Sequence, residues 1–413
     1  MSAGAVVTGI GVIAPNGTDA QGFWAATRIG KNALVPSAGP GSPAGSGAGR
    51  AGEPATVVEG AIHDLEAAAP LPGGVASYTD RTTRIALATA AQALADSRAD
   101  IDAVPADRRA VVTAVGAGGT GFGERQLRAL WTDGPAHVSA YTSAAWFYAV
   151  DSGRISVGHD LRGPVGALST GQAGGLDALA RAGLLVRRGS ALVLAGGVDA
   201  SLTPLGRAAR HTTGLVSAEH RPERAYLPFD RAACGHVPGE GGAFLVVEDE
   251  GTARARGARL YGRIAGHAAT LDPRPGAGRA PGLRRAVELA LAEARCRPAE
   301  VDVVFADAAG SRHLDRVEAD ALADVFGPLG VPVTAPKTAF GRLGAGGASV
   351  DVVAALLCMA EGLVPPTTNT GPAPEYRLDL VVGSPRAARV RTALVVARGH
   401  GGFNSALVLR SAG

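Results

Sequence analysis

Short apolar runs alternate with longer stretches of helical period along the chain, the pattern expected when strands and helices succeed one another. Residues 5–8 read as a buried strand that runs into Gly9-Ile10-Gly11, and Asn16-Gly17-Thr18 as a turn before a helix beginning near Asp19. Residues 36–54, rich in Gly, Ser and Ala, predict a flexible surface loop. Residues 82–97 predict a helix with a long Ala/Leu face, and 111–115 the buried strand after it.

The most informative stretch is 168–185. A strand ending near Ser169 meets Thr170-Gly171-Gln172-Ala173-Gly174-Gly175, and a helix follows through Leu176-Asp177-Ala178-Leu179-Ala180, which makes a sharp strand-to-helix elbow. Buried strands are predicted at 190–197 and 243–247. From about Leu260 the scheme starts again, with strands at 261–267 and 301–306, helices at 282–295, 317–326 and 349–361, and closing strands at 392–396 and 405–410. Two successive α/β halves, residues 1–255 and 256–413, fit this order better than one six-stranded dinucleotide-binding unit. Gly9-x-Gly11 is itself a faint dinucleotide fingerprint, since the third glycine and the acidic partner are missing.

Composition narrows the function classes. With 46% hydrophobic residues in 413, the chain can bury a large core. The 40 basic and 37 acidic residues nearly cancel, leaving +3, so no long-range field for nucleic acid is set up. Cys234, Cys296 and Cys358 are far apart and lack a Cys-x-x-Cys pair, so neither a disulfide framework nor a structural metal site is indicated. No stretch has the length or apolarity of a membrane span or a secretory leader, and a cytoplasmic protein is expected.

The elbow puts Gln172 where a nucleophile would be displayed, at a helix start whose free N–H groups favour developing negative charge. An amide cannot attack a thioester, because it offers neither a thiol nor an activatable hydroxyl. The segment Gly163-Pro164-Val165-Gly166-Ala167-Leu168-Ser169-Thr170-Gly171-Gln172 resembles the elbow of ketosynthases, the thiolase-fold enzymes that join acyl units on carrier proteins. Val6-Val7-Thr8-Gly9-Ile10-Gly11, Pro228-Phe229-Asp230-Arg231, Gly239-Glu240-Gly241-Gly242, Pro365-Pro366-Thr367 and Gly399-His400-Gly401-Gly402-Phe403-Asn404-Ser405 follow in family order across essentially the whole chain. The resemblance implies a thiolase-like α/β fold: two duplicated halves with mixed sheets covered by helices in layers.

Within the family the chain is most similar to the chain length factor, the beta subunit of type II (aromatic) polyketide ketosynthases, in which glutamine replaces the catalytic cysteine. By the same resemblance, Asp307 in Asp307-Ala308-Ala309-Gly310-Ser311 stands at one catalytic-histidine position, in a stretch registered by Asp315 and Glu318. Arg342, after Lys337-Thr338-Ala339-Phe340-Gly341, stands at the other, while the family lysine, Lys337, remains. An ionised aspartate accepts where the histidine would donate, and an arginine of fixed charge is a poor proton shuttle. Asp307 and Arg342, with Lys337 as a further candidate member, are expected to form an ion-pair network in a degenerate site. An alternative is kept open, in which Gln172 serves a malonyl-decarboxylating, chain-initiating subunit; in the family that chemistry uses the histidines this chain lacks.

The resemblance further implies a heterodimer with a cysteine-bearing ketosynthase alpha subunit, and an acyl carrier protein that presents malonyl and poly-β-ketoacyl groups and docks mainly on alpha. It implies no cofactor for this chain, the phosphopantetheine belonging to the carrier protein. The family's product tunnel maps onto Thr120, Gly123, Leu127 and Ala144, none aromatic, which suggests a deep tunnel and a product of about ten to twelve ketide units. Phe122 and Trp131 are expected in the core, while Tyr141 and Trp146-Phe147-Tyr148 are left open between an interface and the interior.

Overall fold

The computed structural model describes residues 4–38, 56–68, 78–274 and 276–412. The strands of the first part are β1 (Ala5–Ile13), β2 (Val35–Ala38), β3 (Thr56–Glu59), β4 (Arg109–Val115), β5 (Val165–Leu168), β6 (Leu192–Asp199) and β7 (Gly241–Asp249). Those of the second are β8 (Gly262–Leu271), β9 (Val303–Phe305), β10 (Pro332–Thr334), β11 (Leu363–Val364), β12 (Asp379–Leu380), β13 (Arg386–Ala387), β14 (Thr392–Arg398) and β15 (Phe403–Arg410).

Eleven of these strands join in one sheet, ordered β12-β10-β9-β14-β15-β8-β1-β7-β6-β4-β5. The duplication is visible in the pairing. In the first part β5-β4-β6-β7-β1 runs parallel, parallel, antiparallel, antiparallel. In the second, β10-β9-β14-β15-β8 repeats that order with the same directions. The two sets meet antiparallel where Ala5, Val6 and Val7 pair with Ile264, Arg263 and Gly262.

Two helices lie in the middle of the fold. The elbow helix, Gly174–Arg187, buries Leu176, Leu179, Ala182 and Leu185, and the helix Ala345–Glu361 is buried on nearly every face from Ala345 to Cys358. A helix apolar over most of its circumference must be enclosed by protein, and this one, whose buried charge Asp351 pairs with Lys337, shares a core with β1, β6, β7 and β14 residues. Helices Arg81–Ser97 and Leu283–Glu293 cover outer faces, the first with Ile85, Ala86, Ala90 and Ala93, the second with Leu283, Ala286, Val287 and Ala290.

Several expectations are corrected. Gly9 and Gly11 lie inside β1, not in a turn after it. A Cβ at Gly11 would come within 2.1 Å of the Thr89 carbonyl oxygen, so this glycine admits the helix Arg81–Ser97 against the strand instead of admitting a phosphate. The predicted loop 36–54 begins as a strand, since β2 pairs antiparallel with β3; its remaining residues, 39–54, lie outside the described ones. The segment that carries the tunnel positions Thr120, Gly123 and Leu127 forms a helix, Thr120–Thr132. The glycines at 121 and 123 lower its intrinsic propensity, and tertiary packing of Gly121, Phe122 and Gly123 overrides them. Trp131, on that helix's outer side, is 83% exposed and not in the core, whereas Phe122 is buried as expected. Among the described residues no helix is long and apolar enough to cross a membrane.

Candidate functional site

The elbow forms because β5 ends at Leu168 and Gly171 takes φ +57°, a left-handed turn that a side chain would strain. A single 3-10 turn, Gly171–Ala173, then leads into the helix. Thr170 donates from Oγ1 to Asp177 Oδ2 at 2.6 Å, and Ser405 donates from Oγ to Asp177 Oδ1 at 2.8 Å, which pins the elbow to β15. Gln172 sits on the turn and faces a cavity of about 720 Å3.

Asp307 and Arg342 come from different elements. Asp307 follows β9, where its backbone N–H and that of Ala308 donate to Glu318 at 2.7 and 2.8 Å, and Gly310 N–H donates to Asp315 at 2.9 Å. Those two carboxylates brace the turn in which the family histidine would stand. Arg342 follows the 3-10 turn Pro336–Ala339, and its two terminal nitrogens donate to Asp307 Oδ1 and Oδ2 at 2.8 and 3.1 Å, with a third bond to the Asp307 carbonyl at 2.7 Å. Burial alone would raise the Asp307 carboxyl, but the charges of Arg342 and Lys337 hold it below the usual carboxylate range. Burial opposes the charge on Arg342, and Asp307 outweighs it, so the guanidinium is held more firmly protonated than usual.

Lys337 departs from the expected network. Its ammonium pairs with Asp351 Oδ2 at 2.5 Å, on the helix Ala345–Glu361, and reaches Asp307 only through its field. The 3-10 turn presents Lys337 to the central helix and leaves Arg342 to face Asp307. Behind Gln172, the space bounded by Asp307, Lys337 and Arg342 is about 10 Å3, at the threshold for a single water. The two ion pairs close this side of Gln172.

In front of Gln172 the cavity is open. Thr120, Gly123 and Leu127 of the helix Thr120–Thr132 line it together with Gln172, Asp307 and Arg342, so three of the four tunnel positions meet the degenerate site in one space. Ala144 is not part of the lining; it is exposed on the four-residue helix Thr142–Ala145, and the wall there is made by Trp146 and Tyr148. The wall therefore does carry aromatic bulk. The Trp146 ring lies over Gly123, where a Cβ would meet it at 3.7 Å. Trp146, Phe147 and Tyr148 remain 50%, 62% and 45% exposed, and Tyr141 stacks on Tyr78 with ring centroids 5.2 Å apart.

Asp199, Arg210 and His236 also line the cavity, and sequence reasoning passed over them. Asp199 ends β6 and accepts from the backbone N–H groups of Ala117 and Ala345 at 3.0 and 2.9 Å, tying the wall to the central helix. His400 lines the mouth and is exposed. Among the described residues there is no cluster of side chains able to hold a metal ion.

The family described as Beta-ketoacyl synthase, N-terminal domain matches residues 4–253, and Beta-ketoacyl synthase, C-terminal domain matches residues 261–371. The tetracenomycin polyketide synthase ketoacyl synthase beta subunit of Streptomyces glaucescens is 52% identical, over 99% of this chain and 98% of its own length. The actinorhodin polyketide putative beta-ketoacyl synthase 2 of Streptomyces coelicolor is 49% identical, with 98% of each chain covered. Among solved structures, the ishigamide ketosynthase/chain length factor superposes with a TM-score of 0.87 at 26% identity over the whole of both chains. A type II PKS ketosynthase solved with its acyl-carrier protein and bound to the hexaketide gives 0.87 at 25%, again over both whole chains.

Proposed function

Since this chain belongs to the beta-ketoacyl synthase family, as a ketosynthase beta subunit of the chain-length-factor type with a thiolase-like fold, we propose that its cavity is the wall against which a partner's growing polyketide stops. It is a noncatalytic, chain-length-determining subunit of a type II polyketide synthase and pairs with a ketosynthase alpha subunit. The partner's cysteine holds the chain, and an acyl carrier protein delivers malonyl units and carries the poly-β-ketoacyl product. The cytoplasm is the compartment in which such a complex would work.

One observation carries this reading. The space that begins at Gln172 continues past the helix Thr120–Thr132, with no nucleophile on its floor and a wall that is mostly apolar. A long chain of alternating carbonyls and methylenes fits such a space, and its length is limited by the bulk at Thr120, Gly123, Leu127 and Trp146 because packed walls respond to single methylenes. Ala144 lies outside this cavity. A heterodimer interface is supported by the free sheet edge at β5, where Val165 is 52% exposed, and by the neighbouring exposed aromatics Trp146 and Phe147.

The test is reconstitution. Coexpressed with its alpha subunit and carrier protein, the chain should give unreduced polyketides of one dominant mass, and omission of the chain should abolish or randomise that mass. Product of normal length from the alpha subunit alone would overturn the reading.

A further inference from the structure

Among the described residues, Arg210 is a cation on the cavity wall that makes no ion pair with a carboxylate. It lies half-buried in the last turn of the helix Pro204–His211, and desolvation pushes its guanidinium below the ordinary arginine range. Three carboxylates act on it from a distance: Asp199, Glu59 and Glu240. Glu59 is held by Arg207 at 2.6 Å and Glu240 by Arg81 at 2.7 Å, while Asp199 is occupied by backbone N–H groups. Among the described residues no carboxylate lies within ion-pair distance of Arg210, and its hydrogen bond goes to the hydroxyl of Ser201.

By contrast, Arg342 and Arg398 on the same wall are matched, the first by Asp307 at 2.8 and 3.1 Å and the second by Asp272 at 3.4 Å. The cavity thus has matched guanidiniums beside Gln172 and, at Arg210, a guanidinium with no carboxylate in contact, although Asp199 on the same wall still acts on it through its field. His236 also lines it, and burial together with the charges of Arg342 and Arg210 keeps its imidazole neutral. Neutral imidazole adds a hydrogen-bonding group there without adding charge.

A guanidinium presents its N–H groups as a planar fork and binds best to two coplanar oxygens. A carboxylate has that shape. So does the enolate of a 1,3-dicarbonyl, whose two oxygens share one negative charge in a plane and whose flanks are apolar enough for the rest of this wall. We propose that Arg210, held by Ser201 and flanked by His236, is an oxyanion site that binds a 1,3-dicarbonyl unit in its enolate form. The C–H bond between the two carbonyls breaks, its electron pair is delocalised over both oxygens, and the proton goes to water or buffer; no bond in the carbon chain changes. Beyond capping length, this subunit would then select the registration of the chain by holding one dicarbonyl at a fixed distance from Gln172. That role rests on the tunnel reading above, whereas the site itself can be measured without it.

The probe is acetylacetone, titrated into the purified heterodimer and followed by its near-ultraviolet enolate absorbance, with 3,3-dimethylpentane-2,4-dione, which has no acidic methylene, as the control. The intact complex should raise the enolate fraction of acetylacetone, and the dimethyl compound should not compete. Arg210→Gln should weaken binding by roughly ten- to a hundredfold, the range for a charge-assisted hydrogen-bonded pair. Arg210→Lys should retain part of it, having the charge without the fork, and Ser201→Ala should show an intermediate loss, which keeps the test open should Arg210→Gln fail to assemble. Unchanged binding in Arg210→Gln or in Ser201→Ala, or equal competition by the dimethyl compound, would overturn the site. A normal Arg210 dependence alongside product length that ignores the cavity wall would instead overturn the tunnel reading and leave the site standing.

Discussion

Arg342 closes both terminal nitrogens on the carboxylate of Asp307, at 2.8 and 3.1 Å, with both side chains almost wholly buried. On the proposed reading, this pair takes the place of the two histidines of a working condensing enzyme. A buried pair of this kind contributes little net stability against a well-packed apolar replacement, yet breaking it on one side strands a charge.

Asp307→Ala should therefore destabilise the subunit by about 3–5 kcal/mol, and Asp307→Ala combined with Arg342→Leu should recover much of the loss. Denaturant unfolding of the single and double variants measures both. Unchanged stability in Asp307→Ala would mean that the pair is not what fills the site.

Gly123 is the position at which cavity volume can be tested most directly. A Cβ there touches the Trp146 ring at 3.7 Å, so a phenylalanine must displace the indole or project into the cavity. Gly123→Phe should shorten the dominant product by roughly one or two ketide units, since a rigid wall registers bulk in small steps. Mass spectrometry of the reconstituted synthase gives the answer, with retained pairing to the alpha subunit as the folding control. Unaltered length would remove Gly123 and Trp146 from the wall.

What the sequence could and could not disclose follows from the range of the forces involved. The elbow was legible because glycine, helix start and strand end are neighbours in the chain, and Gln172 stands out among them. The Asp307 and Arg342 positions were legible through resemblance, and their pairing through charge. Lys337 lies beside Gln172, Asp307 and Arg342, but its pairing was not legible, because its partner, Asp351, lies on a helix whose facing is set by the whole central layer. Trp146 was noticed only as an aromatic cluster, and Arg210 and His236 were not singled out at all: a shared cavity between segments far apart in sequence leaves no local pattern. The glycines of β1 imitated a phosphate loop for a related reason, since a close backbone approach requires glycine whether the neighbour is a phosphate or the Thr89 carbonyl.

Stability should fall as pH rises through neutrality. Burial raises the carboxyls of Asp151 and Asp315 from 3.8 to about 7, Glu318 from 4.5 to about 7, and Asp351 from 3.8 to about 6. For each, the folded state holds its proton where the unfolded chain has lost it, so the stabilisation is complete below about pH 4 and is lost as pH climbs through 6 to 7. Asp307 acts in the opposite sense, but its carboxyl is lowered and titrates below that window. Thermal unfolding at pH 8 should fall below that at pH 5.5 by on the order of a few kcal/mol in total. Glu318→Gln should flatten the dependence; a profile that rises with pH would show that these carboxyls are ionised in the fold.

The remaining question is whether Gln172 does chemistry of its own. Decarboxylation of a malonyl thioester develops negative charge on the thioester oxygen and is accelerated by donors aimed at that oxygen. Here the two positions that would supply them hold Asp307, an acceptor, and Arg342, whose fork is already closed on it. A heterodimer whose alpha-subunit cysteine is replaced by alanine should therefore convert malonyl carrier protein to acetyl carrier protein no faster than the carrier protein alone, and Gln172→Ala should not change that rate. A turnover that survives loss of the partner cysteine and disappears with Gln172→Ala would require the amide to orient the malonyl carboxylate, and would make this subunit the one that starts the chain as well as the one that ends it.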